Sequence, residues 1–252
     1  MDTNKNIYTL VYTIIMVVAI AFLLSFVSNA LRDRQVANME LDQKRQIINA
    51  LNTPEHPLNI TGNAGARRER IEYLYSTLIV GGLVVNSNGD ILSKSKEDAF
   101  EINIAREIVQ PLAERRLPVF IANVNGQTKY ILALRGSGVW GPIWGYIALK
   151  DDMNTIFGAF FSHAAETPGL GSQIAEDNFQ NEFIGKSIMN ARNEFVSVAV
   201  VRAGTRVADR DQVDALTGGT FTSRAVGDML FDSLYQYNNF LQQRNITKGG
   251  AE

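Results

Sequence analysis

Residues 8–27 form an almost wholly apolar run of 20 residues inside a longer stretch, 6–31, that carries no charge. At ~1.5 Å of rise per residue, a helix of that length covers ~30 Å, the hydrocarbon thickness of a bilayer. The rest of the chain must therefore be arranged around a membrane-spanning helix near one end. Lys5 flanks the run on one side, and Arg32 and Arg34 on the other. A cleaved signal peptide is the competing reading, because Ser28, Asn29 and Ala30 put small residues at cleavage-like positions. The run exceeds the ~7–15 residues of an ordinary signal core, which favours a retained anchor. Counting Lys and Arg near the ends would leave the large domain in the cytoplasm. Asp33 sits between the two arginines, however, and only Lys5 competes, so charge does not decide the orientation.

The 252 residues suit one domain with an appendage, and a hydrophobic content of 46% is enough for a real core. A net charge of −2, with acids and bases intermixed and no basic stripe, argues against a nucleic-acid partner. The absence of cysteine rules out disulfides, thiolate catalysis and cysteine-held metal centres within the chain. The two histidines, His56 and His163, are far apart and form no HxxxH or HExxH metal motif.

A helix over 36–51 either continues the membrane helix or forms a short stalk, and Thr53-Pro54-Glu55-His56-Pro57 breaks it. Residues 64–70, small and basic, read as a surface connection. Strands are expected over 78–85 and at Ile91-Leu92, joined through Asn88-Gly89, and over 119–121 and 130–134, joined through Asn125-Gly126. Further strands are expected over 143–149, 155–161 and 196–201. Helices are expected over 99–112 and 178–189. Another runs from Ser223, where Val226, Met229, Leu230, Leu234, Tyr237 and Leu241 recur at helical spacing. Helices mixed with antiparallel hairpins, without a βαβ rhythm, indicate an α+β fold. Residues 248–252 read as a flexible tail.

Three loops carry the candidate chemistry. Asp214-Ala215-Leu216-Thr217-Gly218-Gly219-Thr220-Phe221-Thr222-Ser223 leads into the last helix and makes Thr220, Thr222 and Ser223 candidates for its N-cap. Helix-start N–H groups suit a phosphate, and Gly218 and Gly219 place no side chain in its way. An ordinary capped helix after a tight turn accounts for the same residues. Gly136-Ser137-Gly138-Val139-Trp140-Gly141 matches the G-x-G-x-x-G dinucleotide pattern. Pro142 and another strand come next where that motif requires a helix, so a bend between strands is the better reading. His163-Ala164-Ala165-Glu166-Thr167-Pro168-Gly169-Leu170-Gly171 is either a rigid surface turn or a flat bed for a planar group. His163 with Glu166 could mimic an acid–base pair.

In order along the chain, Gly136-x-Gly138-x-Trp140-x-x-x-Trp144-Gly145, Glu166-Thr167-Pro168-Gly169-Leu170-Gly171 and Asp214-x-x-Thr217-Gly218-Gly219-Thr220-x-Thr222-Ser223 resemble one family. It is the C subunits of the Na⁺-translocating NADH:quinone oxidoreductases. The related Rnf complexes share the last two motifs in their G subunit, whereas the first fits the quinone-reductase branch better. The resemblance implies FMN joined by a phosphoester to the final threonine of a Ser/Thr-Gly-Ala-Thr motif, here Thr220. Gly219 stands where alanine is usual. The resemblance further implies a flavin transferase that installs the FMN and recognises Asp214. It sets Glu166, Thr167, Leu170 and Trp140 by the flavin, within the loop of Thr217, Gly218, Gly219 and Thr222. It implies an electron carrier among the other subunits of a multisubunit membrane redox complex, which bind NADH and quinone themselves.

The domain organisation expected on this basis is a cytoplasmic tail (1–6), a transmembrane helix in lipid (7–31) and a stalk (32–57). An extracytoplasmic domain (58–247) comes after them, with its FMN-binding region at about 130–237, and then the tail (248–252). The location would be a bacterial inner membrane, with the flavin domain on the periplasmic side. Two rivals from other classes are a membrane-anchored sensor domain and a hydrolase using the hydroxyls of 217–223. The hydrolase lacks a credible histidine partner, since His163 would have to serve alone.

Overall fold

The computed structural model describes residues 6–249, and the chain divides into two units, residues 1–43 and residues 44–252. Helix α1, Asn6–Asn49, begins in the first unit and ends in the second. Its apolar window has a mean hydropathy of 2.8 and none of it is buried against protein. Side chains such as Ile7, Phe22, Leu24 and Phe26 are exposed, a surface that only lipid or another apolar helix would cover. Thr13 Oγ1 donates to Thr9 O at 2.8 Å, which satisfies its hydroxyl inside the helix. No break separates the apolar stretch from residues 36–49, so the two sequence-predicted helices are one.

The second unit is built on a six-stranded antiparallel sheet. Its strands are β1 (Ile79–Val85), β2 (Ile91–Ser93), β3 (Leu117–Val124), β4 (Gln127–Ser137), β5 (Pro142–Leu149) and β6 (Ile156–His163), in spatial order β2-β1-β3-β4-β5-β6. The Asn125-Gly126 turn between β3 and β4 has φ of 53° and 81°, the doubly positive pair that matches hairpin twist. One sheet face packs on α6 (Thr220–Gly249) through Leu132, Leu134 and Ile147 against Val226, Met229, Leu230, Leu234 and Tyr237. All five helix residues are buried, as their spacing predicts. The other face carries Phe120 and Tyr146. On that side Trp144 Nε1 donates to Gln46 Oε1 at 3.0 Å, tying β5 to the end of α1.

Four local expectations fail for identifiable reasons. Residues 64–70 are the opening turns of α2 (Ala64–Leu78), capped by Asn63, whose side chain accepts from Ala66 N at 2.9 Å. The helix expected over 99–112 is split into α3 (Lys96–Glu101) and α4 (Ile104–Glu107), because Ile102 is extended and Asn103 recaps the chain. The helix over 178–189 stops as α5, Asp177–Asn181. Beyond it Gly185 takes φ +79° and its N–H donates to Ile156 O, so the segment joins the sheet edge instead. The strand over 196–201 shrinks to β7 (Ala199–Val201), which pairs in parallel with β8 (Gln212–Asp214). Residues 248 and 249 close α6. The rest of the expected C-terminal tail, and residues 1–5 of the N-terminal one, lie outside the described residues.

Candidate functional site

β8 ends at Asp214, and Ala215 N donates back to Val201 O at 2.7 Å, so the loop leaves from a fixed point. Gly218 turns it with φ +78°, a left-handed conformation that suits glycine. Gly219 N donates to Leu216 O, and Gly219 O accepts the first helical bond from Ser223 N at 2.9 Å. Gly219 is therefore the N-cap, and Thr220, Thr222 and Ser223 all lie inside the first turn. Their sequence-predicted capping role passes to Ser223 in another form. Its buried hydroxyl donates to Gly219 O at 2.9 Å and accepts from Leu216 N at 3.2 Å, stapling the loop to the helix.

Thr220, half-buried, donates weakly to Leu216 O at 3.3 Å. It borders a groove of about 760 Å³ between α6 and β7, lined also by Arg202, Arg210, Arg224 and Phe231. Arg224 lies one helical turn beyond Thr220 on the same face. Asp228 and Asp232 line the same groove further along α6. The unpaired N–H groups of the first turn add positive potential at the threonine end.

Glu166 organises the neighbouring loops. It is 5% exposed, accepts from Thr222 Oγ1 at 2.6 Å through one oxygen, and from Trp140 N at 3.1 Å through the other. A Cβ on Gly171 would lie 2.6 Å from both Glu166 Oε2 and Thr222 Oγ1, and one on Gly138 would collide with Glu166 Oε1. The Gly138 of the G-x-G-x-x-G sequence thus makes room for a carboxylate. Gly136 makes room for Met229, and β5, not a helix, comes next. The acid–base pair that His163 and Glu166 could mimic in sequence does not form. His163 Nδ1 accepts from the Glu166 backbone N–H at 3.2 Å, while the carboxylate faces away to Thr222 and Trp140.

Leu170 lies over the two glycines. A Cβ on Gly218 would meet its side chain at 2.8 Å, and a Cβ on Gly219 its carbonyl oxygen at 2.9 Å. The space freed by glycine at 219 is thus filled by the Leu170 backbone. Trp140, Leu170 and Phe221 leave apolar surface exposed, Phe221 at 79%. The structure links Trp140 and Thr222 through Glu166, and Leu170 to Gly218 and Gly219 beside Thr220, whereas Asp214, Thr217 and Thr167 are exposed. Sequence reading missed Arg202, Arg210 and Arg224. Only Arg224, four residues after Thr220, was within reach of a spacing argument.

Residues 138–234 match the family model described as an FMN-binding domain. A crystal structure of the C subunit of the Na⁺-translocating NADH-quinone reductase from Parabacteroides distasonis is 44% identical, with a TM-score of 0.72 over 84% of this chain and 96% of that one. The chain belongs to this C-subunit family. The Haemophilus ducreyi C subunit is 28% identical over 94% of this chain and 93% of its own length. That of Vibrio vulnificus is 26% identical over 82% of each. The Shewanella oneidensis relative, 21% identical with a TM-score of 0.66, shares the fold. Among the described residues one long apolar helix precedes the α+β domain, whose fold these C-subunit structures share. The fit of FMN rests on the site itself: a threonine at a helix start, arginines along the groove that it borders and exposed apolar surface on the neighbouring loops.

Proposed function

We propose that this chain holds FMN through a phosphoester on Thr220 Oγ1 and serves as an electron-carrying subunit of a Na⁺-translocating NADH-quinone reductase. Thr220 carries the reading: it is the one hydroxyl of the loop that both starts α6 and borders the arginine-lined groove. Thr222 is committed to Glu166, and Thr217 is exposed before the turn. The first-turn N–H groups and Arg224 balance the charge of the phosphate. Trp140, Leu170 and Phe221 offer apolar surface to the ring system, and Glu166 holds their loops in register. Bound there, FMN supplies the ability to accept electrons from one redox centre and pass them to another.

The partners in this reading are the other subunits of the complex, a flavin transferase that acts on the 214–223 segment, and membrane lipid around the apolar part of α1. The domain would face the periplasm from a bacterial inner membrane, with 1–6 cytoplasmic, 7–31 in lipid and 32–57 as stalk. The Rnf-type alternative is disfavoured by the names its relatives carry. Co-expression of the full chain with a flavin transferase, then intact-mass analysis after denaturation, tests the attachment. One FMN per chain is expected, lost in Thr220→Val and retained in Thr217→Val and Thr222→Val. An unmodified wild-type chain, or a loss that tracks Thr217 or Thr222, overturns it.

A further inference from the structure

A second cavity, of about 630 Å³, opens at the turn end of β4 and is lined by Pro54, Lys129, Lys150, Phe157 and Ile184, among others. None of its lining residues belongs to the loops around Thr220. Its volume falls in the range of small-molecule sites, ~300–1,000 Å³.

Lys129 makes this cavity unusual. It occupies a sheet position and is only 2% exposed, whereas lysines are almost never fully buried without a partner. Its Nζ donates one hydrogen bond, to Gln127 Oε1 at 2.9 Å, and lies 4.9 Å from the Phe157 ring centroid. An ammonium has three donors, so two remain to be satisfied, and Lys129 forms no ion pair among the described residues. The register that pairs Tyr130 with Leu149 sets Lys129 opposite Lys150, a like-charge cross-strand pair that costs stability. Burial and then Lys150 hold the Lys129 pKa below its usual value, and Asp151 and Asp152 oppose them. Asp152 is occupied by the N–H groups of Asn154 and Thr155. Glu55 is the cavity's own acid.

We propose that this cavity binds a small organic carboxylate, with its carboxylate between Lys129 and Lys150 and its apolar part against Phe157, Pro54 and Ile184. An anion there relieves the cation–cation opposition and satisfies the spare donors of Lys129. The apolar wall selects an organic anion over an inorganic one.

Calorimetric titration of the full-length protein with benzoate, benzamide and inorganic phosphate tests this. Benzoate should bind saturably below ~10 mM, with benzamide and phosphate at least about tenfold weaker, a difference of ~1.4 kcal/mol. Lys129→Met, isosteric and apolar, should weaken benzoate by at least about tenfold, and its melting curve reports whether it folds. Lys150→Gln, at an exposed position, should weaken binding without touching the core. Benzoate affinity should fall as pH rises and the Lys129 ammonium is lost; Glu55, Lys150, Asp151 and Asp152 are the other charged groups around it. Absence of benzoate saturation, equal binding of benzamide or phosphate, or benzoate binding unchanged in either folded lysine variant overturns the proposal.

Discussion

Two glycine-rich loops in this domain look alike in sequence, and both make room for protein atoms, yet they open onto different elements. In 136–141 the missing side chains make room for protein: Met229 beside Gly136, Glu166 beside Gly138. In 216–220 one glycine supplies a left-handed turn and the other caps a helix. Their common neighbour is Leu170, and they leave the adjacent threonine on an open groove. The difference comes from the element that each loop enters. A strand consumes the backbone N–H groups after Gly141, whereas a helix leaves those after Gly219 free of helical partners. Glycine spacing alone therefore says little about phosphate binding. The element that the glycines open onto carries the information.

If the contrast is right, a methyl group in the first loop should cost folding, and one in the second should chiefly disturb the site. Gly138→Ala has the largest expected effect, because its Cβ meets Glu166 and Ile143 in a packed interior. A loss of about 3 kcal/mol in urea unfolding is expected, at the upper end of overpacking costs. Thr222→Val comes next. It leaves Glu166 Oε2 without its donor at 5% exposure and should cost about 2 kcal/mol, with FMN attachment at Thr220 retained in intact-mass analysis. Ser223→Ala removes the staple between Leu216 and Gly219 and should cost about 1 kcal/mol while slowing FMN loading. Gly218→Ala comes last, at about 1 kcal/mol, the low end of the cost of a left-handed non-glycine residue at φ +78°, because the Leu170 side-chain end that opposes the methyl can shift. A Gly218→Ala variant that unfolds more readily than Gly138→Ala would remove the distinction.

Much of the architecture was legible in the chain because it rests on periodicity. The three- and four-residue spacing from Val226 to Leu241 set one face of α6, and Asn125-Gly126 set the β3–β4 hairpin. The features that escaped depend on single side chains or on distant partners. Asn63 and Asn103 start helices from stretches whose charges hide the pattern. β8 is three residues long, and only its parallel partner 13 residues back makes it a strand. At the site, Thr220 and the glycines could be read locally. The direction of the Glu166 carboxylate could not, because Thr222 lies 56 residues away in sequence.

The Ser223 staple bears on how the proposed flavin loading would proceed. Its hydroxyl bonds hold the 216–220 turn through contacts internal to the folded chain. If FMN is attached at Thr220 as proposed, that threonine would be presented in its final pose before any nucleotide arrives. A modifying enzyme would meet a finished surface, so assembly of the polypeptide would come first and loading second, with no need to reopen the domain between the two.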